Sequence, residues 1–165
     1  MKIKIINIIF FVLFANSIVG QKVDNSFKDS TRYAILSFRQ FGIPVFDSTY
    51  SEASLSGKEI KLVERLFFSA IKEYNKRIYY ENLESKKKNM DLAIHLSDKF
   101  YAKQLFPAIN NKGEKEIYIS CFAAEPSTLW WAEYIPTADG GSEVFTLIIN
   151  ITKGTFYNVQ IGGYG

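Results

Sequence analysis

The chain has one cysteine, one histidine and four prolines among 165 residues. A single thiol cannot close an internal disulfide, so the fold must stand on its apolar core. Three signatures are missing: the His-Glu-x-x-His zinc pattern, the Gly-x-Ser-x-Gly nucleophile turn, and a Gly-rich phosphate loop following a strand. Charge of one sign is lacking as well, with 20 basic residues against 17 acidic. That balance gives no electrostatic footprint for nucleic acid or acidic lipid.

The N-terminus departs from this even composition. Lys2 and Lys4 precede an apolar stretch, Ile5 to Phe14, interrupted only by Asn7, and Ala15, Asn16, Ser17 and Gly20 follow. A basic end, a short apolar core and a small-residue region are the order of a secretory signal. The stretch is too short for a membrane-spanning helix, which takes about 20 apolar residues. Residues 1–20 are therefore expected to be a signal peptide cut after Gly20, with Ser17 the alternative site. The rest, 21–165, reads as one domain with 18 basic and 17 acidic residues, outside the cytoplasm in the periplasm or the medium.

Within the domain, residues 21–31 are a polar lead-in and Tyr33 to Phe38 is a short β-prone run broken by Gly42 and Pro44. Ser56-Gly57-Lys58-Glu59 fits a capping box, where Ser and Glu side chains satisfy the first amides of a helix. Ile60, Val63, Phe67, Ala70, Ile71 and Tyr74 then recur at helical steps, with Leu62, Leu66 and Phe68 widening the stripe, which predicts an amphipathic helix to about Ile78. Lys72, Lys76 and Arg77 suit its negative end, and Glu73 can pair with Arg77 one turn on. Residues 81–98 fit either a short second helix or an irregular crossing, and Lys86-Lys87-Lys88 reads as solvated.

From Lys99 the grammar is that of strands. Phe100–Ile109 and Glu116–Ala123 flank the turn sequence Asn110-Asn111-Lys112-Gly113, with Pro107 demoting the end of the first to an edge. Leu129–Ile135 is an aromatic-rich run ending before Pro136. In Glu143–Ile151, Phe145, Leu147, Ile149 and Ile151 share one face. Lys153-Gly154 closes a hairpin onto Thr155–Ile161, whose Tyr157, Val159 and Ile161 are expected on the core side. The fold class is α+β: one long amphipathic helix packed against a curled antiparallel sheet of four to five strands.

Chemistry has few candidates. Asp91, His95 and Asp98 lie close in sequence, and Asp91 and His95 share a face if helical, but one imidazole makes a thin metal site and no metal or other cofactor is expected. Glu125, Glu133, Asp139 and Glu143 belong to no recognisable acid/base motif. Cys121 alternates within an apolar run and reads as a buried small hydrophobe. Asn150-Ile151-Thr152 matches a glycosylation triplet inside a predicted strand, where the match is fortuitous. Trp130 and Trp131 are the most suggestive pair: on a strand they point to opposite faces, and the exposed one, beside Tyr134, can stack on a sugar or anchor a protein.

The string from Asn111-Lys112-Gly113 through Ile117-Tyr118-Ile119-Ser120-Cys121-Phe122, the Trp pair, Asp139-Gly140-Gly141 and Asn150-Ile151-Thr152-Lys153-Gly154 resembles a group of small exported proteins common in Bacteroidota. The resemblance covers roughly residues 30–162. It implies a bacterial source and an envelope or extracellular location, and supplies no activity or site residues. In that group a second cysteine often follows two residues after the first; here Ala123 stands there. A helix packed in a sheet is also similar in architecture to the cystatin-like and nuclear-transport-factor folds, which does not fix function. The sequence favours a non-catalytic binding module meeting an envelope or extracellular protein or glycan through Trp130, Trp131 and Tyr134. A small hydrolase using acids near His95 and a cystatin-like protease inhibitor are the alternatives.

Overall fold

The computed structural model describes residues 33–85, 92–96, 101–123, 129–136 and 140–162. The expected signal segment, the polar lead-in, Lys86-Lys87-Lys88, Asp91, Asp98, Glu125 and Asp139 lie outside the described residues.

The elements run β1 (Tyr33–Ile35), α1 (Phe38–Phe41), β2 (Ser51–Glu52), α2 (Gly57–Ser85), β3 (Ala102–Ile109), β4 (Lys115–Phe122), a 3-10 turn (Gly141–Glu143), β5 (Val144–Asn150) and β6 (Thr155–Ile161). The class is α+β, one long helix on an open six-stranded sheet. Strands β3 to β6 form the expected meander, each antiparallel to the next. Two short additions were not expected. β1 joins β3 in parallel and β2 joins it antiparallel, so the sheet is mixed.

That far edge explains Pro107, which sits inside β3 and not at a free edge. β1 pairs as far as Leu105, and β2 pairs only with Ala108 and Ile109. The missing proline N–H falls in the gap between them, where no neighbour needs it.

The capping box forms as expected. Ser56 Oγ accepts from Glu59 N at 3.3 Å, and Glu59 Oε2 accepts from Ser56 N at 2.7 Å. Lys115 Nζ, at the start of β4, donates to Glu59 Oε1 at 2.6 Å and to Ser54 O at 3.0 Å, tying the helix start to the sheet. The helix runs on past Ile78 to Ser85, so Lys72, Lys76 and Arg77 stand well before its last turn. Arg77 Nε pairs with Glu81 at 3.7 Å. Of the 81–98 segment, residues 81–85 therefore belong to α2. Residues 92–96 are irregular and held by Asn75, whose Nδ2 donates to Ile94 O and whose Oδ1 accepts from Ile94 N, both at 2.8 Å.

Alternation along the strands builds two cores. Leu105, Ile117, Ile119, Cys121, Phe145, Leu147 and Ile149 meet Val63, Phe67, Ala70, Ile71, Tyr74 and Ile78 of α2. On the other face Ala102, Phe106, Ala108, Tyr118, Phe122 and Ile148 pack against Phe38, Ile43, Phe46 and Trp130. Fully burying one side chain of the size of Phe67 contributes roughly 2–3 kcal/mol, so the two cores carry a chain without disulfides. Phe68 is a correction: it is 43% exposed, on the outer side of α2.

Tyr157 is another. Thr146 pairs with Gln160 and Ile148 with Tyr157, so β6 carries one extra residue, with Asn158 at φ 53°. This bulge shifts the alternation. Phe156, Val159 and Ile161 pack toward α2, while Tyr157 lies 39% exposed.

Candidate functional site

The segment from Leu129 to Ile135 is a turn, not the expected strand. Ala132 N donates to Leu129 O at 2.8 Å and Glu133 N to the same oxygen at 3.0 Å. The turn is mounted on Gln104 of β3, whose side chain is fully buried. Gln104 Oε1 accepts from Ile135 N at 3.0 Å, while its Nε2 donates to Trp130 O and Glu133 O. One amide thus fixes three backbone groups that no ladder would satisfy.

On this mount the three predicted residues separate. Trp130 is 8% exposed and belongs to the core on the face away from α2. Tyr134 is half-buried, its ring edge-on to Phe106 at 5.5 Å between centroids. Trp131 stands 45% exposed beside Leu129 at 44%. The expected division of the tryptophans into one buried and one exposed is found, but turn geometry produces it. Trp130 and Tyr134 anchor the turn; Trp131 and Leu129 are what it presents.

The acid candidates do not converge among the described residues. His95, Glu133 and Glu143 are exposed on three separate segments. No group of three or more His, Cys, Asp and Glu able to hold a metal occurs among the described residues. Cys121 is enclosed in the core, where burial pushes its thiol up to about 12. A thiol so reluctant to ionise is a packing residue, not a nucleophile.

Its cross-strand partner is Lys103, which sequence reading missed. Only 3% of Lys103 is exposed, and its Nζ lies 4.8 Å from the centre of the Phe67 ring. Desolvation draws the ammonium down to about 8. The sequence signal was available: Lys103 falls on the same alternating face of β3 as Leu105.

A second missed cluster closes the other end of the sheet. Glu116 is buried, and its Oε1 accepts from Asn150 Nδ2 at 3.1 Å and Asn110 Nδ2 at 3.3 Å. Its Oε2 accepts from the Tyr50 hydroxyl at 2.9 Å, and burial together with this carboxylate pushes the Tyr157 phenol up. The amides are oriented by their other ends: Asn110 Oδ1 accepts from Lys112 N and Glu114 N, and Asn150 Oδ1 from Lys153 N. Nearby Glu114 bonds Lys153 Nζ at 2.8 Å, which with the two amides holds its carboxyl down at about 2. Burial and Glu116 push the Tyr50 phenol up to about 12. One carboxylate thus gathers three donors, from the loop at Tyr50, from the β3–β4 turn and from the end of β5, so this cluster locks two hairpins together. Asn150, only 2% exposed, serves this lock and not glycosylation.

A shallow cleft of about 220 Å³ also runs between α2 and edge strand β6, lined by Ala70, Glu73, Tyr74, Arg77, Phe156 and Val159 among others. Among the described residues, no helix is long and apolar enough to cross a membrane. Comparison with protein-family models, with curated proteins and with solved structures finds no match to this chain.

Proposed function

We propose that this chain is an exported, non-catalytic binding module of a bacterial cell envelope, and that it engages a protein or glycan through Trp131. The observation that carries the reading is the Trp131–Leu129 pair, two large apolar side chains exposed together on a turn that Gln104 holds in place. Aromatic side chains on a rigid mount bind at little entropic cost and dominate recognition surfaces. Export and envelope location rest on the order of residues 1–20 and on the resemblance to small exported proteins.

The test is crosslinked capture from native envelope and medium with wild type, Trp131→Ala and Trp131→Phe, and a glycan array run in parallel. A partner or glycan retained by wild type and Trp131→Phe but lost with Trp131→Ala supports the reading. Identical capture by all three sinks it. Trp130→Ala is the folding control: truncating a buried tryptophan costs about 3–5 kcal/mol and should lower stability, which Trp131→Ala should leave nearly unchanged.

A further inference from the structure

The outer face of α2 is unlike the rest of a charge-balanced chain. At about 100° per residue, Lys58, Lys61, Arg65, Phe68, Lys72, Lys76, Tyr79, Tyr80 and Leu83 fall in one sector about 120° wide, centred opposite the stripe that meets the sheet. All nine are exposed, Tyr79, Tyr80 and Leu83 by more than half. No acidic residue falls in that sector. Glu59 is turned to Lys115, Glu81 to Arg77, and Glu64, Glu73 and Glu84 sit on the flanks. Five cations and four large apolar side chains thus share one helix face roughly 38 Å long, taking about 1.5 Å per residue.

We propose that this face docks on an anionic phospholipid surface, with α2 lying in the plane of the headgroups. The charge pattern is complementary to such a surface: lysines reach phosphates while their stems and the apolar side chains cover the acyl boundary. Lys76 Nζ lies 6.0 Å from the Tyr80 ring centre, and the two rim an open hollow with Ser69, Lys72, Glu73 and Arg77. An acidic protein or a nucleic acid would use the cations but gain little from Leu83 and Phe68, which are 58% and 43% exposed. The Trp130 anchor lies on the far side of the sheet from α2. A chain seated on lipid by α2 therefore keeps its Trp131 turn on the other side.

The experiment is co-sedimentation of the full chain with vesicles of phosphatidylcholine, with and without added phosphatidylglycerol. Binding is expected only with phosphatidylglycerol, and to weaken at high salt. At about fivefold per lysine, the triple change Lys61→Gln, Lys72→Gln and Lys76→Gln should lower the partition coefficient by about 100-fold, while the corresponding three changes to Arg and the remote Lys112→Gln leave it in place. Phe68→Trp and Leu83→Trp report insertion by a blue shift of their emission on vesicles. Three results overturn the proposal: binding indifferent to phosphatidylglycerol or to the triple change, which assigns it to the apolar N-terminal stretch; binding to heparin or DNA with none to vesicles; and binding indifferent to salt, a measurement on wild type that holds even if the triple variant misfolds.

Discussion

Replacing Lys103 by Met should stabilise the protein at neutral pH, and the gain should vanish in alkali. Met matches the length of the lysine stem without its charge, so packing against Phe67 is kept. The ammonium falls from 10.5 to about 8 on folding. At about 1.4 kcal/mol per pH unit, holding the charged form in the core costs about 3 kcal/mol. Its position over the Phe67 ring returns about 1 kcal/mol of that, leaving a net gain of about 2 kcal/mol for the variant at pH 7. Because the folded value lies below the unfolded one, the unfolded chain holds the extra proton between about pH 8 and 10.5, and wild-type stability rises with pH across that window. Below pH 8 both states are charged and the cost is constant; above 10.5 both are neutral and it is gone. Cys121 works in the opposite sense above its ordinary 9.0, since the folded thiol keeps its proton. Up to pH 10 the folded thiol keeps its proton in both proteins, so over that range the difference between them isolates Lys103. The assay is urea unfolding of wild type and Lys103→Met from pH 6 to 10. A variant less stable than wild type at pH 7, or a difference that does not shrink with pH, refutes the reasoning.

Other outcomes follow from single groups. Glu116→Leu leaves the Tyr50 hydroxyl without its acceptor and the Asn110 and Asn150 amides with Glu114 alone, and urea unfolding should show a loss of about 1–3 kcal/mol; an unchanged or raised stability would mean the cluster is not a lock. Ser120 Oγ is buried with no hydrogen-bond partner among the described residues, so Ser120→Ala should be neutral or stabilise by up to about 1 kcal/mol, read as a rise in melting temperature. Glu59 is held down at about 2 by Lys115 and by the Ser56 bonds. Its contribution is present above about 4.5 and lost as pH falls toward 2. Glu59→Gln should lose about 1 kcal/mol at pH 7 and show a flatter acid limb in thermal melts. A limb as steep as wild type would show that other carboxylates set it.

Much of this arrangement was written in local sequence. The capping box of Ser56 and Glu59, the helical stripe from Val63 to Tyr74, the Asn110–Gly113 turn and the alternation of Phe145, Leu147 and Ile149 are short-range patterns. Each is set by neighbours a few residues apart, and each formed where expected. What tertiary structure alone decided involves partners far apart in the chain. Pro107 is tolerated inside β3 because β1 and β2, more than fifty residues earlier, leave a gap beside it. Leu129–Ile135 has strand-like composition, yet a buried glutamine on another strand takes its backbone groups and bends it into a turn. The bulge at Asn158 turns Tyr157 from the α2 side to Glu116, a choice visible only in the register with β5. The charge segregation on α2 lay in the sequence at helical period, but net charge concealed it. It became legible once the packing fixed which side of the helix the sheet leaves to solvent.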